Sequence, residues 1–275
     1  MPQTINTNTL SLNAQRNLNT SQASLATSVQ RLSSGLRINN AKDDAAGMAI
    51  AERMSSQVRG MNVAIRNAND GVSLAQTAEG AIGQISNMLQ RMRELAVQSA
   101  NATNSAGDRG NLHAEFSQLA TEITRTITGT KFNNTAILGA NAGAQAFQVG
   151  ANNGDAVTIT TTDMSSLTHI TNVTGGAITS VALANTALTA IDAALDKVNT
   201  ERATYGAINA RFESIIATLE VSAENQAASR GRIVDADFAQ ETANLSRTQI
   251  LQQAGSAMVA QANQAPQQVL ALLQR

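Results

Sequence analysis

Met61-Asn-Val-Ala-Ile-Arg-Asn-Ala-Asn-Asp-Gly-Val-Ser-Leu-Ala-Gln-Thr-Ala-Glu-Gly-Ala-Ile-Gly-Gln-Ile-Ser-Asn-Met-Leu-Gln-Arg-Met-Arg-Glu-Leu-Ala96 decides the fold. Positions 61, 64, 68, 71, 75, 78, 82, 85, 89, 92 and 96 hold Met, Ala, Ala, Gly, Ala, Ala, Ile, Ile, Leu, Met and Ala. Steps alternating between three and four keep one face of a helix in register, and no polar residue interrupts this stripe. A seam sustained this long predicts coiled-coil-like packing. Its small residues before Ile82 predict close approach of neighbouring helices, and Ile82 onward a thicker core. The helix is expected over about 45–100, followed by a break at Asn101-Ala-Thr-Asn-Ser-Ala-Gly107. A shorter helix then carries Leu112, Phe116, Leu119 and Ile123.

Upstream, Leu18, Leu25 and Leu32 recur every seven residues, and Gly35 with Asn39-Asn40 marks an irregular segment. Downstream, about 128–176 changes character. Phe147-Gln-Val-Gly and Val157-Thr-Ile-Thr-Thr sit between Gly- and Asn-rich turns and read as short strands and hairpins. Helical spacing returns with Leu188, Ile191, Leu195, Val198, Tyr205, Phe212, Ile216, Leu219 and Ala223, interrupted at Arg202 and Asn209. A break is expected near Gly231, and a last helix over about 235–262, disturbed by Pro266. The only prolines are Pro2 and Pro266, so the intervening chain holds no residue that costs a helix interior ~3 kcal/mol. The expected fold class is therefore mainly α. Its N- and C-terminal arms form a long antiparallel helical coiled-coil rod, with a small β-hairpin region in the middle.

Composition narrows the function. The chain has 275 residues, a net charge of -1, no cysteine and one Tyr with five Phe as its aromatics. Near-neutral charge gives no electrostatic reason to expect nucleic acid or an acidic membrane. No stretch approaches the ~18 apolar residues of a membrane span. Met1 to Thr9 carries no positive charge and no apolar core, unlike a Sec-type signal. A cytoplasmic location or export without a cleaved signal is expected.

No constellation points to catalysis or to a cofactor. His113 and His169 fall in different zones, outside any metal-ligand spacing, and read as a helix-surface residue and a loop or strand residue. Asp43-Asp44 and Asp235-x-Asp237 each precede a helical stretch and suit its positive end better than a metal. Gly139-Ala-Asn-Ala-Gly143 lacks the Gly-Lys-Ser/Thr of a phosphate loop. Gln90-Arg-Met-Arg-Glu-Leu-Ala-Val-Gln98 lays charges along one helical face, which composition alone reads as solvated or as a partner strip.

Several longer strings resemble bacterial flagellin. They are Ile5-Asn-Thr-Asn, Arg31-Leu-Ser-Ser-Gly-Leu-Arg-Ile-Asn, Ala41-Lys-Asp-Asp-Ala-Ala-Gly47 and Arg66-Asn-Ala-Asn-Asp-Gly71. Leu89 to Asn101, Ala243-Asn-Leu-Ser-Arg-Thr-Gln-Ile-Leu-Gln-Gln-Ala-Gly255 and the Leu-rich end complete the set. The resemblance covers roughly 3–135 and 185–275. It implies an extracellular structural subunit of the flagellar filament, exported unfolded by the flagellar type III apparatus, with no enzymatic activity. A hook–filament junction protein is the alternative within the same organelle. The resemblance implies an inner coiled-coil domain from 1–44 and 234–275. It implies an outer helical rod from 45–233, including a β-rich segment at about 130–178, with no large outer domain. Implied partners are further copies of the chain, an export chaperone, cap and junction proteins, and toll-like receptor 5.

Leu18, Leu25, Leu32, Leu245, Ile250, Leu251, Leu270, Leu272 and Leu273 are the candidate assembly seams. On the resemblance, Gln90, Arg91, Arg93, Glu94, Leu95 and Glu115 match the receptor-binding strip, with Met92 where relatives carry Val. Asn134 stands where Gly is common in the turn before the hairpin, and Gln274 is an added residue in the terminal Leu-Leu-Arg. The terminal arms, poor in aromatics and rich in Gln, Asn, Ser and Thr, are expected to be disordered in the free monomer and to order on assembly.

Overall fold

A computed structural model describes residues 7–273, with side chains up to 264. Pro2, Ile5 and Gln274, and the side chains of Leu270, Leu272 and Leu273, lie outside the described residues. The chain is mainly helical. The order is α1 (Thr9–Ser34), α2 (Ala45–Ala100), α3 (Ala106–Gly129), β1 (Lys131–Phe132), β2 (Thr135–Ala136), β3 (Ala144–Gln148), β4 (Ala156–Thr160), α4 (Thr168–Thr174), α5 (Val181–Val234) and α6 (Phe238–Leu273). The chain divides into two units, one of 1–56 with 225–275 and one of 57–224.

In the 57–224 unit every position of the α2 stripe from Met61 to Ala96 is buried. Leu74, Leu95, Ser86 and Ser99 widen it. The core continues through Phe116, Ile123 and Ile127 of α3, Ile137 and Leu138, Val157 and Ile159 of β4, and Ile191, Val198, Tyr205 and Phe212 of α5. Gly71 explains itself here. A Cβ at this position would lie 2.8 Å from Phe212 Cε1, so the bare backbone makes room for the ring. The other edge of that room is Phe147 of β3, which meets Phe212 edge-to-face with centroids 5.9 Å apart.

The β-rich segment forms two hairpins, β1 with β2 and β3 with β4. In the second, Val157 and Ile159 point inward while their neighbours on β4 are exposed, the period-two pattern of a half-buried strand. The first turns through Asn133 (φ 46) and Asn134 (φ 63). Both residues are left-handed, as a two-residue hairpin turn requires, and asparagine tolerates that region better than other non-glycine residues. Asn134 thus supplies the left-handed residue that this turn needs.

In the other unit α1 packs antiparallel along α6. Gly35, at φ 69, caps α1 and donates its N–H to Arg31 O. The chain then clasps the start of α6: Arg37 N donates to Val234 O at 2.6 Å and Ala236 N to Gly35 O at 2.9 Å. Asp44 Oδ1 accepts the Gly47 N–H, and Asp237 Oδ1 accepts those of Ala239 and Gln240. Both acidic pairs therefore sit at helix starts.

Three local expectations are corrected. Gly231 stays inside α5, and the break falls at Asp235–Asp237, where Asp237 caps the next helix. The last helix does not end near Ala262 but continues past Pro266 to Leu273. His169 lies in a helix, α4, which forms because Ile170 and Val173 are buried in the core.

Candidate assembly surface and charged strip

The α1–α6 pair leaves much of its apolar surface open. Of the described α1 side chains only Ser11 and Ser28 are fully buried, and the face toward α6 is completed by the half-buried Leu18, Leu25 and Leu32. Leu18 lies over Gly255, where a Cβ would be 3.1 Å from its Cδ1. On α6, Glu241 and Thr248 are buried and Leu245 is half-buried. The buried positions of the seam are thus polar, and its leucines are only half-buried. Other bulky apolar residues point elsewhere: Leu10 is 62% exposed, Ile250 65% and Met258 62%, with Leu251 and Phe238 also open. The candidate seam residues therefore divide. Leu18, Leu25, Leu32 and Leu245 lie toward the partner helix, and Ile250 and Leu251 face outward. Glu241 reaches Arg31 NH1 at 3.9 Å, a long ion pair.

The charged strip is a network on the outer face of α2. Arg91 NH1 meets Glu94 Oε2 at 2.8 Å, and Arg91 Nε donates to Glu115 Oε1 of α3 at 2.9 Å. Hydrogen bonds from Arg91 to Glu94 and then to Glu115 hold its guanidinium above the usual arginine range. Arg93 Nε donates to Asp192 of α5 at 2.7 Å, a partner absent from the sequence-based set. Gln90, Arg91, Arg93, Glu94 and Glu115 are exposed, whereas Leu95 is buried in the core. Met92 is also fully buried, so its departure from Val alters packing and not the strip.

One polar cluster was not legible in the sequence. Glu201 occupies a buried position of α5, paired with Lys197 Nζ at 2.8 Å and accepting from Thr162 Oγ1 at 3.0 Å. Burial, reinforced by the nearby Glu201 carboxylate, pushes the Tyr205 phenol up to about 12. The phenol is therefore neutral at any physiological pH. Only a three-dimensional pairing makes a buried glutamate tolerable. Among the described residues no group of three or more His, Asp or Glu converges in a way that could hold a metal ion. No described helix is long and apolar enough to cross a membrane.

Two family models match the two ends of the chain. Residues 5–143 match the family described as the bacterial flagellin N-terminal helical region, and residues 188–273 the bacterial flagellin C-terminal helical region. A flagellin of Halalkalibacterium halodurans is 45% identical, over 98% of this chain and 99% of its own length. A flagellin of Xenorhabdus nematophila is 41% identical over 99% of this chain and all of its own. Polar flagellin B/D of Vibrio parahaemolyticus is 35% identical over an alignment of 373 residues, so it carries residues that this shorter chain lacks. Among solved structures, a Bacillus cereus flagellin matches 60% of this chain and 94% of its own with a TM-score of 0.51 and 37% identity. A putative flagellar hook-associated protein from Vibrio parahaemolyticus, 13% identical with a TM-score of 0.60 over 70% of this chain and all of its own, shares the fold.

Proposed function

Because this chain belongs to the bacterial flagellin family, a family of structural proteins and not of enzymes, we propose that copies of it polymerise through the α1–α6 pair. It is a structural subunit of the flagellar filament and serves swimming motility. The observation that carries the assembly route is the open apolar surface of α1 and α6, headed by Ile250, Leu10 and Met258. A single exposed apolar residue is ordinary, but several large ones on one pair of helices suit an interaction site. Segments 1–44 and 234–275 form the inner layer of the filament, and 45–233 its outer helical part. Nothing favours the hook–filament junction reading, since the hook-associated likeness is one of fold alone.

Export is unfolded, through the flagellar type III apparatus, with a chaperone for the subunit and a cap at the growing end. The α1–α6 seam, polar where buried and only half-buried at its leucines, supports this, because such a pair offsets little of its ordering entropy by itself. Seeded growth tests the reading. Purified chain added to short filament fragments is expected to extend them into long helical filaments visible by negative-stain microscopy. A chain that stays monomeric, or that adds a few copies and stops, contradicts it.

The strip of Gln90, Arg91, Arg93, Glu94 and Glu115 is the surface read by toll-like receptor 5 when a host meets the protein. Its support is the exposed, mutually braced Arg91–Glu94–Glu115 network. Arg91→Ala is expected to lower potency in a receptor reporter assay by about tenfold or more, as for a buried arginine anchor at an interface. Equal potency of the two proteins removes the assignment.

A further inference from the structure

The seam between α1 and α6 poses a register problem. Leu18, Leu25 and Leu32 repeat every seven residues, so sliding α1 by one heptad puts each leucine where the next one was. The residues around them are mostly small or polar, and apolar packing discriminates weakly between these registers. At the end of the pair far from the Gly35–Ala236 clasp, one polar contact cannot slide. A proline carries no N–H, so the helix leaves the carbonyl four residues before it without a donor. In α6 that carbonyl belongs to Ala262, four residues before Pro266. Asn8 Nδ2 donates to Ala262 O at 2.7 Å.

We propose that Asn8 is a positioning residue for assembly. It locks the register of the two terminal helices at the end away from the Gly35–Ala236 clasp, by supplying the hydrogen bond that Pro266 withholds. Pro266 is the only proline in α6, so only one register offers a carbonyl of this kind. The Asn8 amide is held from both sides: its Oδ1 accepts the Ser11 N–H at 3.1 Å and caps α1, while its Nδ2 faces α6. Turning the amide over loses both bonds, and an aspartate can make only the first. A second bond stands beside it, from Ser11 Oγ to Asn263 Oδ1 at 2.7 Å. Ser11 is one of the two buried side chains of α1, so this end of the pair carries a shielded polar contact. A single polar pair fixing the register of a weak helical seam is an attested use of buried polar groups. The inference rests on assembly through α1 and α6.

The test is a double-mutant cycle read as the critical monomer concentration for seeded filament growth. Asn8→Asp keeps the helix cap, because aspartate caps as well as asparagine. It removes the donor and leaves the Ala262 carbonyl facing a carboxylate. It is expected to raise the critical concentration about tenfold, the effect of leaving a part-buried acceptor unpaired. Pro266→Ala gives Ala262 its own helix donor. In that background Asn8→Asp is expected to change the critical concentration less than about twofold. Asn87→Asp, which adds the same charge at an exposed position of α2 in the 57–224 unit, is expected to leave growth unchanged. The proposal is overturned if Asn8→Asp grows like wild type, or if it loses as much in the Pro266→Ala background. Equal loss from Asn87→Asp, or failure of Pro266→Ala alone to assemble, also overturns it. Failure of the wild-type chain in the same assay counts against the assembly reading and not against the lock.

Discussion

Ile250→Asp is expected to abolish filament growth while leaving the 57–224 unit folded. Ile250 is 65% exposed in the single chain, so its replacement removes little contact within the subunit. On the proposed assembly, that side chain is covered by a neighbouring copy. The substitution forfeits about 2 kcal/mol of apolar burial and asks an unpaired carboxylate to leave water, at several kcal/mol more. Since 1.4 kcal/mol is a factor of ten, the critical concentration is expected to rise by about a thousandfold or more. Sedimentation with filament seeds measures it, and thermal unfolding of the same sample reports the fold. Growth at the wild-type concentration removes Ile250 from the assembly surface. A lower melting temperature of the 57–224 unit means that the effect came through folding instead.

The second large effect lies inside that unit. Phe212→Ala is expected to cost 3–5 kcal/mol, the usual range for emptying a fully buried phenylalanine site. Its edge-to-face partner Phe147 loses a contact worth about 0.5–1.5 kcal/mol beyond burial. Gly71 turns this into a sharper experiment. With Phe212 present, Gly71→Ala places a methyl group 2.8 Å from the ring, an overpacking expected to cost about 1–3 kcal/mol. With Phe212→Ala already made, that methyl enters empty space. It then gains about 1 kcal/mol of helix propensity. The sign of Gly71→Ala is therefore expected to reverse between the two backgrounds in denaturant unfolding. The same sign in both means that Gly71 is not there to admit the ring.

Much of this molecule is visible in its sequence because its helices are long and their stripes regular. Every position of the Met61–Ala96 stripe is buried, and the alternation of Val157 and Ile159 correctly marks a strand. Gly35 and the two acidic pairs mark helix ends for local reasons, and local reasons can be read from neighbours in the chain. What escaped depends on distant partners. The buried stripe of α5 runs through Ala187, Ala194 and Glu201, where apolarity alone favours Leu188 and Leu195. Glu201 is admitted only because Lys197 and Thr162 satisfy it. The Thr168–Thr174 helix has the β-branched composition of a strand, and burial of Ile170 and Val173 overrides that preference. Within the charged strip, helical spacing puts Arg91 and Glu94 on one face, but Asp192 is 99 positions from Arg93. The Asn8–Ala262 bond spans 254 positions and depends on an N–H that Pro266 does not have. No local window contains such a pair.

The central claim is that α1 and α6 complete their burial only against neighbouring copies. Amide hydrogen exchange compared between dilute monomer and assembled filament tests it most directly. Thr9–Ser34 and Phe238–Ala262 are expected to exchange rapidly in the monomer and to be strongly protected in the filament. The stripe from Met61 to Ala96 is expected to be protected in both. Native-like protection of the two terminal helices in the dilute monomer, unchanged on assembly, contradicts the account.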